Sequence, residues 1–186
     1  DKRLTRSRGS DRVQTDEQLA RRLQQGDTHA LAQLVERHHS PLLGFLYRRT
    51  AGDRALAEDL AQDTLLRVLR TIRQYRAPRP FKPWLYAIAL NVARDHFKRA
   101  DTRHTDSATD DVLDDLAAPH DDELDFDAQQ VAAAITALPE HQRVAILLRY
   151  YQDLSLAEIA ETLNIPIGTV KSRLSLGLQR LRSMLE

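Results

Sequence analysis

The chain has 186 residues, with 27 Lys and Arg residues balanced by 27 Asp and Glu residues, and it contains no cysteine. This length allows one domain or two small ones, and a chain without cysteine has neither a disulfide framework nor a thiolate metal site. No apolar run approaches the roughly 20 residues needed to cross a bilayer and no signal segment opens the chain, so we expect no membrane insertion.

The first segment, residues 1–15, is basic, polar and without periodicity, and we expect a disordered tail or an expression remnant there. Helical signals follow it. Thr15 and Gln18 form a capping-box pattern for a first helix, and Asp27 is placed to cap a second helix. Pro41 is expected to break or kink the second helix, because proline lacks an N–H donor and its ring clashes with the preceding turn.

A long helix is predicted over residues 53–75, where apolar residues recur at helical spacing. Its opposite face is polar and carries Glu58, Asp59 and Asp63, carboxylates that alone could suggest metal or acid–base chemistry. No glycine-rich phosphate loop, Ser-His-Asp set or His-x-x-x-His spacing accompanies them. We therefore interpret this face as a docking surface for another protein, and we expect no catalytic residue, metal or cofactor.

Basic and aromatic residues are concentrated between residues 67 and 99, which hold nine Lys and Arg residues, one acid and five of the ten aromatic residues. Cations that follow phosphates and rings that stack on bases are typical of single-stranded nucleic-acid sites, where Asn91 could read the edge of an extruded base. The alternative is the core of a helical bundle. We favour the core for Trp84, and nucleic-acid binding for Tyr75, Phe81 and the loop arginines.

Residues 101–127 are strongly acidic, with eleven Asp and Glu residues against a single Arg. The rest of the chain therefore carries 16 acidic and 26 basic residues, so the neutral total hides a separation of charge. Apolar residues are few here, which predicts a flexible acidic linker over residues 101–128. Basic surfaces on either side suit a polyanion, although a solubilising linker beside ordinary surfaces explains the same composition.

The last segment, residues 129–186, has the pattern of a helix-turn-helix. Ser155 and Glu158 form a second capping box, Asn164 suits a left-handed position after that helix, and Pro166 suits the start of the next one. The second helix of such a unit places its amino-terminal residues in the major groove of DNA. A helical hairpin with a merely solvated polar face is the alternative.

The start of this last helix presents candidate DNA contacts. If Val170 and Leu174 face inward, the outward positions carry small and basic residues that can approach phosphates and base edges. These outward residues are Gly168, Lys171, Ser172 and Ser175. The patterns together predict an all-α protein of two small helical domains, residues 16–100 and 129–186, joined by the acidic linker.

Three stretches, in this order, carry a family resemblance: AEDLAQDTLLRVLR, FKPWLYAIALNVARDHFKR and LPEHQRVAILLRYYQDLSLAEIAETLNIPIGTVKSRL. They resemble the bacterial extracytoplasmic-function sigma factors, group IV of the sigma-70 family, with residues 16–99 as region 2, a helical bundle, and residues 129–185 as region 4. The resemblance implies a cytoplasmic initiation factor that binds core RNA polymerase and directs it to specific promoters. Region 2 would recognise and melt the −10 element, and the region 4 helix-turn-helix would read the −35 element.

The resemblance also implies three sets of site residues. The polymerase-binding set is Glu58, Asp59, Gln62, Asp63, Leu66 and Arg67. The single-stranded −10 set is Tyr75, Arg76, Arg79, Phe81, Lys82, Trp84, Asn91 and Arg94. The duplex −35 set is Gly168, Thr169, Lys171, Ser172, Arg173 and Ser175.

The implied partners are the β′ clamp and β flap of core RNA polymerase, promoter DNA, and an anti-sigma protein wedged between the two domains. Leu176 and Gly177 stand where relatives frequently have arginine and alanine, so we expect one DNA contact to be missing. Two alternatives are a free-standing helix-turn-helix regulator that binds duplex operator DNA, and a metal-dependent nuclease that uses the Asp cluster.

Overall fold

The computed structural model describes residues 14–105 and 126–186, so most of the predicted tail (1–13) and of the predicted linker (106–125) lies outside the described residues. The described part contains eight α-helices and no strand, which confirms the all-α prediction. The helices are α1 Asp16–Gln24, α2 Thr28–Arg49, α3 Arg54–Thr71, α4 Phe81–Thr105, α5 Phe126–Thr136, α6 Glu140–Ile146, α7 Leu156–Leu163 and α8 Ile167–Leu185.

Helices α1 to α4 form the amino-terminal domain, and its buried apolar side chains belong to a cluster that continues into the carboxy-terminal domain. The predicted caps are present: Thr15 and Gln18 make the reciprocal capping box of α1, and the Asp27 carboxylate accepts from the first backbone amides of α2. The Asp16 carboxylate also contacts the buried ring of His38 at 2.7 Å, which joins α1 to α2. Hydrogen bonding to this ring lowers the pKa of Asp16, against the opposing effect of its partial burial.

The predicted break at Pro41 is wrong, because α2 continues through this residue to Arg49. Proline removes one intrahelical donor, but Leu42, Phe45 and Leu46 in the next turns are fully buried. Burial of three large side chains is worth about 1.5–3 kcal/mol each, which offsets the single lost hydrogen bond.

Helix α3 ends at Thr71 and is followed by a 3₁₀ turn over Ile72–Gln74. The last turn of the long helix predicted over residues 53–75 is therefore 3₁₀ and not α-helical. Helix α4 then starts at Phe81 and runs to Thr105, five residues into the predicted linker. The described structure therefore places the acidic residue Asp101 in helix.

Helices α5 to α8 form the carboxy-terminal domain. Helix α6 continues as a π-helical turn over Leu147–Tyr151, and α7 begins with the predicted capping box of Ser155 and Glu158. Asn164 then takes the left-handed conformation, at φ 51° and ψ 51°, and Pro166 precedes the first residue of α8. These features confirm the predicted helix-turn-helix geometry.

Candidate nucleic-acid interfaces

The first candidate surface is the start of α8. Val170 is fully buried and Leu174 is 7% exposed, so these two residues anchor the helix to its own domain. The opposite positions are exposed, as the sequence predicts for DNA contacts: Gly168, Lys171, Ser172 and Ser175. Thr169 and Arg173 are half-buried at the edge of this surface.

The turn before α8 determines how this surface is presented. A left-handed Asn costs little, since its short polar side chain tolerates positive φ, and it reverses the chain within a few residues of α7. The Ile165 amide then donates to the Ala160 carbonyl at 3.0 Å, which holds the turn to α7. The first turn of α8 consequently presents the exposed Gly168 backbone and the exposed Lys171 side chain to solvent.

Gly177, singled out in the sequence as a departure, has a structural reason. It is buried, and a Cβ at this position would lie 3.2 Å from Ile146 Cγ1 on α6. The glycine therefore permits close packing of α8 on α6. Leu176 next to it is 49% exposed.

The second candidate surface is the outer face of α3. All six residues of the predicted polymerase-binding set are exposed there, while Ala57, Leu60, Ala61 and Thr64 form the buried face of the same helix. Leu66 and Leu69 are exposed at 42% and 37%, so two apolar side chains lie among carboxylates and guanidinium groups. A mixed polar and apolar helix face of this kind suits a protein partner.

The third candidate surface, the proline-rich loop and the start of α4, differs from the expectation. Tyr75 and Phe81 are 2% and 1% exposed, so the preference for nucleic-acid stacking by these two rings is wrong for this arrangement of the chain. The two rings pack edge to face with centroids 5.7 Å apart, and both contact the ring of Trp84. Trp84 is half-buried against the core, as favoured from the sequence.

The Tyr75 hydroxyl explains why this ring is held inside. It donates a hydrogen bond to the Arg79 carbonyl and thereby closes the loop, and the loop backbone is fixed again by Gln24 Nε2, which donates to the Tyr75 carbonyl at 2.8 Å. Burial, assisted by the nearby Glu17 carboxylate, raises the pKa of Tyr75 to about 12. The exposed members of the predicted −10 set are Arg76, Arg79, Asn91 and Arg94.

The two domains pack against each other, which no pattern in the sequence predicts. Helix α4 contacts α7, and Gln152, which precedes α7, is only 3% exposed and bonds to both α2 and α4. The side-chain nitrogen of Gln152 donates to the Pro41 carbonyl at 3.3 Å, and its side-chain oxygen Oε1 accepts from the Tyr86 hydroxyl. The backbone carbonyl of Gln152 accepts from Lys82 Nζ. Gln152 follows two tyrosines without any recognisable motif, so no sequence signal could have identified it.

Two ion pairs extend the domain contact. Arg79 Nη2 lies 2.6 Å from Glu161 Oε1 on α7, and Arg49 Nη2 pairs with Glu140 on α6. Lys82 and Arg79, two members of the predicted −10 set, are therefore bonded to the carboxy-terminal domain in this arrangement.

Two family models match the chain: "Sigma-70 region 2" over residues 34–103 and "Sigma-70, region 4" over residues 128–181. The RNA polymerase sigma-H factor of Pseudomonas aeruginosa is 33% identical, with 86% of this chain and 88% of the relative covered. The ECF RNA polymerase sigma factor SigW of Bacillus subtilis is 32% identical, with 89% and 94% covered.

Two solved structures have the same fold. The sigma factor RpoE in complex with the anti-sigma factor NepR from Bartonella quintana has a TM-score of 0.71 at 26% identity, covering 83% of this chain and 95% of that one. CnrH in complex with the cytosolic domain of CnrY has a TM-score of 0.69 at 26% identity, covering 91% and 96%. The chain belongs to the extracytoplasmic-function sigma factors of the sigma-70 family, and it is a promoter-specific initiation factor of RNA polymerase. The free-standing regulator is not favoured.

None of the helices in the described residues is long and apolar enough to cross a membrane. Within residues 14–105 and 126–186, no three His, Asp or Glu side chains cluster in a way that could hold a metal ion.

Proposed function

We propose that the start of α8 reads the −35 element as duplex DNA, through Gly168, Thr169, Lys171, Ser172, Arg173 and Ser175. The observation that carries this assignment is the exposed first turn of α8, which follows a left-handed Asn164 and is anchored by the buried Val170. A lysine here can reach guanine acceptors or phosphates, and a serine can bond to either.

The −10 element is assigned to the amino-terminal domain, where Arg76, Arg79, Lys82, Asn91 and Arg94 supply the polar contacts. Asn91 and Arg94 lie one turn apart on α4, and the Asn91 Oδ1 accepts from the Arg94 guanidinium. This bond fixes the direction of the amide, which favours reading the edge of an unpaired base. Lys82 and Arg79 bond to the carboxy-terminal domain, so these two residues become free to bind DNA only after the domains separate.

Core polymerase is assigned to the exposed face of α3, with Glu58, Asp59, Gln62, Asp63, Leu66 and Arg67 as contacts. An anti-sigma partner is proposed as well, on the basis that the two similar structures are complexes of this kind. Such a partner would act by keeping the DNA-reading residues covered.

Run-off transcription with core polymerase tests the −35 assignment. Lys171→Ala and Ser172→Ala are expected to lower promoter-dependent initiation about fivefold or more, since each good contact to a base edge is worth about 1–3 kcal/mol. Gln179→Ala, which changes an exposed residue two turns further along α8, is the matched control and should leave initiation unchanged. Equal activity of all three variants would refute the assignment.

A further inference from the structure

A cleft of about 370 Å³ lies between the two domains. Its polar lining comes from both sides: Arg49, Asn91 and Arg94 from the amino-terminal domain, and Glu140, His141 and Arg173 from the carboxy-terminal domain. Ligand pockets in proteins generally measure about 300–1,000 Å³, so the cleft is large enough for a small molecule.

The charge of this cleft is unbalanced. Three arginines, Arg49, Arg94 and Arg173, are among its lining residues, and Glu140 is the single carboxylate among them. The side chain of Glu140 is 62% exposed, so its neutralising effect is weakened by water. A cleft that concentrates like charge between two packed domains attracts anions.

Arg49 shows the imbalance most clearly. Its side chain is only 5% exposed, and although Nη2 pairs with Glu140, neither Nε nor Nη1 has a hydrogen-bond partner in the described structure. Burial lowers the pKa of Arg49, and the nearby Arg143 and Arg94 act in the same direction against Glu140. Buried guanidinium groups in proteins are normally paired, because an unpaired donor in the interior costs about 1–3 kcal/mol.

The ring of Phe97, whose centroid lies 5.3 Å from the Arg49 guanidinium carbon, supplies a partial substitute for an anion. It does not accept hydrogen bonds in the plane of the guanidinium group. The planar fork of arginine matches phosphate oxygens two at a time. A second and third arginine in the same cleft favour an anion with two or more negative charges over a single carboxylate.

We propose that this cleft binds a small phosphate-bearing anion of two or more negative charges, which holds the two domains together. The apolar remainder of the lining, including Leu90 and Val144, leaves room for a compact organic group on the phosphate. Entry of the anion requires the exposed Glu140 to turn away from Arg49. This inference rests on the proposed function, since the bound anion would withhold Asn91, Arg94 and Arg173 from DNA.

Calorimetric titration of the full chain with pyrophosphate, at constant ionic strength adjusted with sodium chloride, tests the binding. We expect the wild type to bind at least tenfold more tightly than Arg49→Met, Arg94→Gln or Arg173→Gln. Arg182→Gln, the same change of charge on the exposed end of α8, is the matched control and should stay within twofold of the wild type. If Arg49→Met does not fold, the half-buried Arg173 still provides the test.

Domain closure is measured in a separate experiment. Because the chain contains no cysteine, spin labels can be attached to cysteines introduced at chosen positions. Spin labels on Glu36→Cys in α2 and Gln179→Cys in α8 should show a narrower distance distribution when pyrophosphate is added. Affinity that is equal in wild type and Arg173→Gln, or a distance distribution that does not change, would overturn the inference. The inference would also be overturned if a synthetic peptide of residues 106–125 bound to the chain and pyrophosphate did not. None of these measurements uses promoter DNA or polymerase, so their failure leaves the run-off test of the proposed function intact.

Discussion

The two DNA-reading surfaces proposed for this chain differ in what covers them. At the start of α8, Lys171 and Ser172 face solvent. On the amino-terminal domain, by contrast, Arg79 and Lys82 bond to the carboxy-terminal domain, and Phe81 is buried. The proposed −35 residues Lys171 and Ser172 are therefore open in the isolated chain, whereas Arg79 and Lys82 of the proposed −10 set are held by contact between the domains. Release of these two residues requires the domains to separate.

The largest effect on stability is expected at Phe81, a member of the predicted −10 set that is buried. Phe81→Ala should destabilise the chain by about 3–5 kcal/mol, because it removes a fully buried ring that packs on Tyr75 and Trp84. Urea unfolding measures this loss, with Lys171→Ala as the surface control, expected to stay within about 0.5 kcal/mol. A loss below 1 kcal/mol for Phe81→Ala, combined with lost −10 binding, would show that the ring is a base-stacking surface after all.

The next effect concerns the domain contact. Gln152→Ala should lower the free energy of unfolding by about 1–3 kcal/mol, because it leaves the buried Tyr86 hydroxyl and the Pro41 carbonyl without their partner. The variant should also broaden the label distance between α2 and α8, since the domains lose their central bonds. Gln25→Ala changes an exposed glutamine at the end of α1, away from both labels, and should alter neither quantity. An unchanged distance in Gln152→Ala would mean that other contacts hold the domains together.

A pH dependence is expected from the closed loop of the amino-terminal domain. The folded state holds the pKa of Tyr75 at about 12, above its ordinary value of 10.0, so it favours the protonated phenol. The corresponding stability is fully present below pH 10 and is lost as the pH rises through 12. Tyr75→Phe should flatten this alkaline limb in urea titrations, while Tyr150→Phe, at a 54% exposed position, should not. Identical alkaline limbs in wild type and Tyr75→Phe would exclude the buried phenol as the cause.

The smallest effect is expected at the ion pair of Arg79 and Glu161, whose side chains are 65% and 38% exposed. Exposed pairs of this kind contribute about 0.2–1 kcal/mol and are screened by salt. Glu161→Gln should therefore weaken domain closure slightly at low ionic strength and not at all in 1 M salt. Label distances at both salt concentrations measure this, and an effect that persists in high salt would contradict the surface-pair explanation.

The local features of the fold followed from the sequence because they depend on neighbouring residues. Capping boxes, the left-handed Asn164 and the inward Val170 are set within one or two turns of chain, and the structure contains all of them. Pro41 was misjudged because its effect depends on the burial of the next two turns, which only the packed domain determines.

The same distinction between local and distant contacts applies to the candidate sites. Exposure along α3 and α8 follows from helical periodicity, so those faces were predictable. The burial of Tyr75 and the role of Gln152 depend on contacts with residues far away in the chain, such as Gln24 and Tyr86. Composition alone cannot distinguish an aromatic ring that stacks on a base from one that fills a core, since both uses favour the same residues.

Gly177 has a consequence for how promoter preference can evolve. The residue is buried, and its missing side chain lets α8 rest directly on Ile146. The Cβ of an alanine or serine here would lie 3.2 Å from Ile146 Cγ1, so either the Ile146 side chain or α8 would have to shift by a few tenths of an ångström. Laboratory selections for altered −35 sequences should therefore randomise this interior position together with the residues proposed to contact bases. The packing of α8 at Gly177 affects the angle at which the helix would enter the DNA groove.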